Sequence, residues 1–131
     1  FEVTGMMIEK GGFDIVGHMD KITYHGMKYK ELNVTDQWFA DLVTDCLELI
    51  KAKGLLLEIN TKSFAELGIT YPDVQFFPVI REMGIPILVN SDCHTPDLVN
   101  DGRQEAFDML KQAGYKSTCE LIAGSWQSIP F

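Results

Sequence analysis

The sequence predicts an α/β protein in which parallel strands alternate with helices and a β-hairpin closes the chain. Three observations carry this. Short apolar runs at residues 13–17, 55–60 and 85–90 are separated by stretches of helical character. Each run stops abruptly on polar residues, as strands buried on both faces do where they hand over to a loop. Between the first two runs the apolar period changes from strand to helix: Phe39, Leu42, Val43, Cys46, Leu47 and Ile50 recur at the spacing of one helical stripe.

Taken in order, Val3, Met6, Met7 and Ile8 read as the tail of a helix closed by Gly11-Gly12. The first strand, 13–17, leads into a polar loop over 20–33 that holds Tyr24, His25, Lys28 and Lys30 and shows no period; His25 reads as a solvated surface residue. The striped helix starts at Thr35 or Asp36 and ends at Gly54. After the second strand, residues 61–72 form a loop in which Phe64, Leu67 and Ile69 pack locally. Asp73 caps a helix running to Met83, and Pro78 inside it must kink it or delay its start. Thr95 follows the third strand as an N-cap with Pro96 at the first helical position. A turn at Asn100-Asp101-Gly102 then opens a helix with Ala106, Phe107, Leu110 and Ala113 on one face and Gly114 at its end. Residues 118–122 and 126–131 form the closing hairpin around Ala123-Gly124.

At 131 residues the chain makes one domain with room for a real core, and 46% hydrophobic against 23% charged residues is an ordinary globular balance. A net charge of −8 disfavours nucleic acid and anionic membranes as partners. No apolar run approaches the ~20 residues of a membrane span. Cys46, Cys93 and Cys119 are odd in number and unrelated in spacing, which argues against a disulfide framework and for a reducing, cytoplasmic location.

The chemistry concentrates at the strand ends. Each strand closes on polar residues two apart: His18 and Asp20, Glu58 and Asn60, Asp92 and His94. Residues two apart on a strand project to one side, so each pair is expected to aim at a common point, with Cys93 turned to the opposite face. In parallel α/β folds the carboxyl ends of the strands share one pocket. Imidazoles and carboxylates gathered there are the donor set of a divalent-metal site. Each residue also has a plainer reading: a strand-end Asp is a helix cap, and a lone His is satisfied by a backbone carbonyl. Glu58 is harder to dismiss, because a carboxylate after Leu55, Leu56 and Leu57 needs a partner. Lys62 lies within reach of an anion or stands solvated.

Gly17-His18-Met19-Asp20, Leu57-Glu58-Ile59-Asn60-Thr61, the run from Gly84 to Ser91-Asp92-Cys93-His94, and the stretch from Glu105 to Gly114 together resemble the C-terminal half of a PHP-domain phosphoesterase, nearest the histidinol-phosphatase branch. That resemblance implies the C-terminal part of a distorted (β/α)7, TIM-like barrel with a cluster of divalent ions (zinc, manganese or iron) at the strand ends. It implies His18, Asp92 and His94 as metal ligands and Asp20 and Glu58 as catalytic carboxylates, Asp20 in a supporting place. Asn60 matches the substrate side, and Lys62 joins it there by its position in the loop. The family's opening His-x-His is absent, since His18, His25 and His94 are the three histidines present. Residues 1–131 are therefore expected to be one portion of such a domain, inactive alone, prone to self-association, and partnered by the barrel half that carries the remaining ligands. The expected activity of the complete protein is metal-dependent hydrolysis of a small phosphorylated substrate. Phosphomonoester hydrolysis needs a nucleophile at neutral pH and neutralisation of the phosphoryl oxygens, and clustered ions supply both. A phosphotyrosine or nucleotide substrate, and a non-catalytic α/β module that binds a small anion, remain alternatives.

Overall fold

In the computed structural model, which describes residues 1–30 and 33–131, β1 (Ile15–Val16), β2 (Leu56–Asn60) and β3 (Ile87–Asn90) form one parallel sheet in the order β1-β2-β3. Helices α1 (Glu2–Lys10), α2 (Ile22–Tyr29), α3 (Gln37–Lys53), α4 (Phe64–Leu67), α5 (Phe77–Met83) and α6 (Arg103–Gln112) surround and connect the strands. The hairpin of β4 (Ser117–Ile122) and β5 (Ser125–Pro130) ends the chain and runs beside β3 without joining its sheet.

The register sorts the strand side chains into two faces. Val16 lies level with Leu57, Leu57 with Ile87, and Ile59 with Val89, and all five belong to the core shared with the helices. The helical side of that core is the stripe Phe39, Val43, Cys46, Leu47 and Ile50 of α3, joined by Ile8, Phe77, Ile80, Ala106 and Leu110. Burying each such aliphatic or aromatic side chain contributes about 1.5–3 kcal/mol. The alternate positions form the other face. Ile15 and Leu56 lie level towards its amino end, Glu58 and Leu88 share the next row, and Asn60 and Asn90 end it at the carboxyl edge.

Gly54 ends α3 in the left-handed region at φ 65°, its N–H bonded back to the carbonyls of Ile50 and Lys51, and the chain turns directly into β2. Asp73 accepts a hydrogen bond from the Gln75 N–H, but it opens a short 3₁₀ turn, Val74–Phe76. The helix proper starts at Phe77, with Pro78 in its first turn where no N–H is needed. The proline thus delays the helix. Thr95 is extended and makes no side-chain cap; Pro96 opens a three-residue 3₁₀ turn, and the next helix waits for Gly102.

Residues 20–33 differ most from the patternless loop expected of them. Ile22–Tyr29 is helical, and its buried positions are Thr23 and Gly26, too small and polar to write an apolar stripe into the sequence. His25 is exposed, as expected, with its ring between those of Tyr24 and Tyr29. Residues 31 and 32 of that stretch lie outside the described residues. Residues 61–72 likewise contain the single turn α4. In the closing hairpin Ala123 and Gly124 both have positive φ, as the tightest turns between twisted strands require. All three cysteines are free thiols. No helix among the described residues is long and apolar enough to cross a membrane.

Candidate functional site at the carboxyl edge of the sheet

Because the three strands are parallel, Val16, Asn60 and Asn90 end at one edge, and Glu58 on the central strand stands just inside it. The Glu58 side chain is 8% exposed, and donors from all three strand ends close on it. The His18 backbone N–H and the Asn60 amide donate to Oε2, each at 3.0 Å, and the Asn90 amide donates to Oε1 at 3.1 Å. This is the partner set that a carboxylate behind three leucines requires. Gly17 makes the approach possible, since a Cβ there would stand 3.0 Å from Glu58 Oε2.

A cleft of about 410 Å³ opens over this knot, lined by Gly17, His18, Glu58, Asn90, Ser91, Asp92, Cys93, Val99 and Arg103. Beside it a second cavity of about 230 Å³ is lined by Lys62, Asp92, Cys93, His94, Thr95 and others, so Asp92 and Cys93 stand on the wall between the two. His94 faces the second cavity: its Nε2 lies 3.5 Å from Asp92 Oδ1, and its side chain is 76% exposed. Lys62 donates to the Asp92 carbonyl at 2.8 Å and stands 4.0 Å from Oδ2 of the same residue. Asp92 has φ 48° and His18 φ 32°, in the left-handed region that few non-glycine residues adopt. The Lys62 ammonium ties Asp92 in that turn, and the hydrogen bond to Glu58 ties His18.

The structure therefore brings His18, Glu58 and Asp92 to one cleft and sets His94 against Asp92 on its far wall. The alternation expected to aim each pair operates for Glu58 and Asn60, which share a face of β2, and not for the other two pairs, because His18, Asp92 and His94 lie beyond the last strand residues in turns of irregular backbone. Cys93, expected on the opposite face, lines the same cleft for the same reason. Asn60 bonds to Glu58, and its Oδ1 accepts from the Lys62 N–H at 3.0 Å, so its side chain braces the site from beneath. Asp20 lies elsewhere. It is fully buried, accepts from the Thr23 hydroxyl at 3.2 Å and the Asp73 N–H at 3.0 Å, and leaves Oδ1 without a partner among the described residues. Burial pushes its carboxyl up to about 7 against the pull of those two hydrogen bonds.

Asn90, Ser91 and Arg103 line the cleft without having been singled out from the sequence. Asn90 had a legible signal: it ends β3 as Asn60 ends β2, level with it in the register. Arg103 had a weaker one, a cation in the first turn of a helix, where the dipole disfavours positive charge.

For a divalent ion the donors fit in kind and fall short in number. Asp92 and His94 offer a carboxylate and an imidazole side by side with His18 across the cleft, but no three His, Cys, Asp or Glu side chains converge among the described residues. No known family model matches the chain, and neither does any curated protein.

Proposed function

We propose that this chain contributes one part of the active site of a metal-dependent phosphomonoesterase of the histidinol-phosphatase kind. One observation carries the reading: a buried carboxylate on the central strand, gripped from all three strand ends, beneath a cleft edged by His18 and Asp92, with His94 against Asp92 in the adjoining cavity. The two-faced sheet supports the barrel expectation, since its second face carries apolar side chains towards one end and polar ones at the carboxyl edge, as an inward barrel face does. Asp92, His94 and His18 are the residues that would hold an ion. Such an ion supplies Lewis acidity and a hydroxide at neutral pH. The chain's own residues do the rest. Glu58 fixes the spacing of the three strand ends, and Lys62 holds Asp92 in its turn. Two adjacent donors hold an ion weakly, so further donors from another segment or a partner complete the centre.

Two assays test this. The chain alone, given manganese or zinc, should hydrolyse histidinol phosphate little faster than the blank. Joined to a barrel half bearing a His-x-His strand, it should do so in a chelator-sensitive way, and His94→Ala should lower turnover at least a hundredfold with the fold intact. Robust activity of the chain alone would mean that the donor set is wrongly assigned. Chelator-insensitive turnover of the joined protein would reject the metal. Turnover of phosphotyrosine or a nucleotide in preference to histidinol phosphate would move the substrate within the same chemistry.

A further inference from the structure

Among the described residues Arg103 is the one lysine or arginine that lines the cleft, and it takes no part in the hydrogen bonds that grip Glu58. It opens α6 directly after Gly102, at the end of the helix where a positive charge is least favoured, so its place needs another reason. Its guanidinium lies over the ring of Phe107, one helical turn on and 5.2 Å from the centroid, and that stacking restricts where the fork can point. The carboxylate it meets is Glu120 on β4, with Nη2 and Oε1 3.7 Å apart and the two side chains 40% and 47% exposed. That separation is outside hydrogen-bond range, and a pair so exposed holds weakly, by about 0–1 kcal/mol. The fork of five N–H donors is therefore loosely tethered beside a cleft that also contains Ser91 and the Asn90 amide. Lys62, the other cation of the region, is already committed to the carbonyl and carboxylate of Asp92.

We propose that Arg103 is the anion-binding residue of the cleft, taking two oxygens of a phosphomonoester dianion on its guanidinium, with Glu120 as the tether it exchanges for the ester. The planar fork matches two phosphoryl oxygens in a way an ammonium does not. This deepens the phosphomonoesterase reading and rests on it for the identity of the anion. Lys62 then acts on substrate only through Asp92.

Inorganic phosphate is the probe, titrated calorimetrically into the wild-type chain and the variants R103Q, R103K and E120Q, with and without one equivalent of zinc. Zinc alone is titrated into each as a separate readout. R103Q should bind phosphate at least tenfold more weakly than wild type, R103K should fall between them, and E120Q should bind more tightly, while zinc affinity stays the same in all four. Unchanged phosphate affinity in R103Q, or no saturable binding by wild type in either state, overturns the proposal. So does a parallel loss of zinc and phosphate binding, because Arg103 would then act through the fold. If R103Q does not fold, the opposed shifts of R103K and E120Q decide. Failure of the hydrolysis assays with the phosphate pattern intact would reject the phosphatase reading and leave Arg103 as the anion site.

Discussion

Asp20 shows how burial and hydrogen bonding oppose one another at a single residue. It fastens the first turn of α2, through Thr23, to the backbone at Asp73, yet one of its oxygens is left without a partner in a fully buried place. Its carboxyl stands at about 7 in the folded protein, mainly through desolvation, against an ordinary value of 3.8. A raised acid binds its proton more tightly in the folded state, so the stability linked to it is fully present below pH 4 and is lost as pH rises towards and through 7. Urea unfolding at pH 5 and pH 8 should therefore show the wild type more stable at pH 5 by as much as a few kcal/mol once other groups are matched by the variant. Asp20→Asn, which cannot ionise, should flatten that difference, and an unchanged pH slope in the variant would show that Asp20 is not its source. The same residue illustrates what one-dimensional spacing misses. Asp20 and His18 are two apart, but the chain leaves β1 at Val16 and turns at His18, so one faces the cleft and the other the base of α2.

At the scale of elements, the parts legible in the sequence were those whose packing leaves a period. The α3 stripe, the three strands, the glycines that close α3 and α5, and the final hairpin all follow from apolar spacing and turn chemistry. Helix α2 was not legible, because it buries Thr23 and Gly26 instead of an apolar stripe. The candidate site was half legible. The sequence points to the strand ends and to Glu58 as a carboxylate needing partners, and Asn60 and Asn90 meet that need. It could not show that Asp92 and His94 sit in a turn beyond β3, because their spacing imitates a strand. Nor could it show that Arg103 returns to the cleft from a helix that starts late. That late start depends on Gly102, which has φ 65° and would place a Cβ 2.8 Å from Phe64 Cβ and 3.0 Å from Thr61 Cβ. Gly102→Ala should destabilise the protein by about 2 kcal/mol or more, combining left-handed strain with overpacking against α4. Thermal melts should show the fall, and phosphate binding should weaken with it as the start of α6 shifts. A variant as stable as wild type would mean that α4 and α6 do not approach as closely as described.

Over the whole molecule, one face of the sheet is spent on the helical core and the other delivers its polar end to a cleft, an economy common to parallel α/β folds with sites at the strand termini. The proposed chemistry depends on that cleft attracting a divalent ion in preference to the rest of an acidic surface that carries a net charge of −8. Amide correlation spectra recorded with substoichiometric manganese test this most directly, because a paramagnetic ion broadens the signals nearest to it. The expected result is first broadening at Gly17, His18, Glu58 and residues 90–94, with the effect lost in Asp92→Ala. First broadening along the exposed acidic side of α3, at Asp41, Asp45 and Glu48, with the strand-end signals untouched, would contradict a metal site at the carboxyl edge of the sheet.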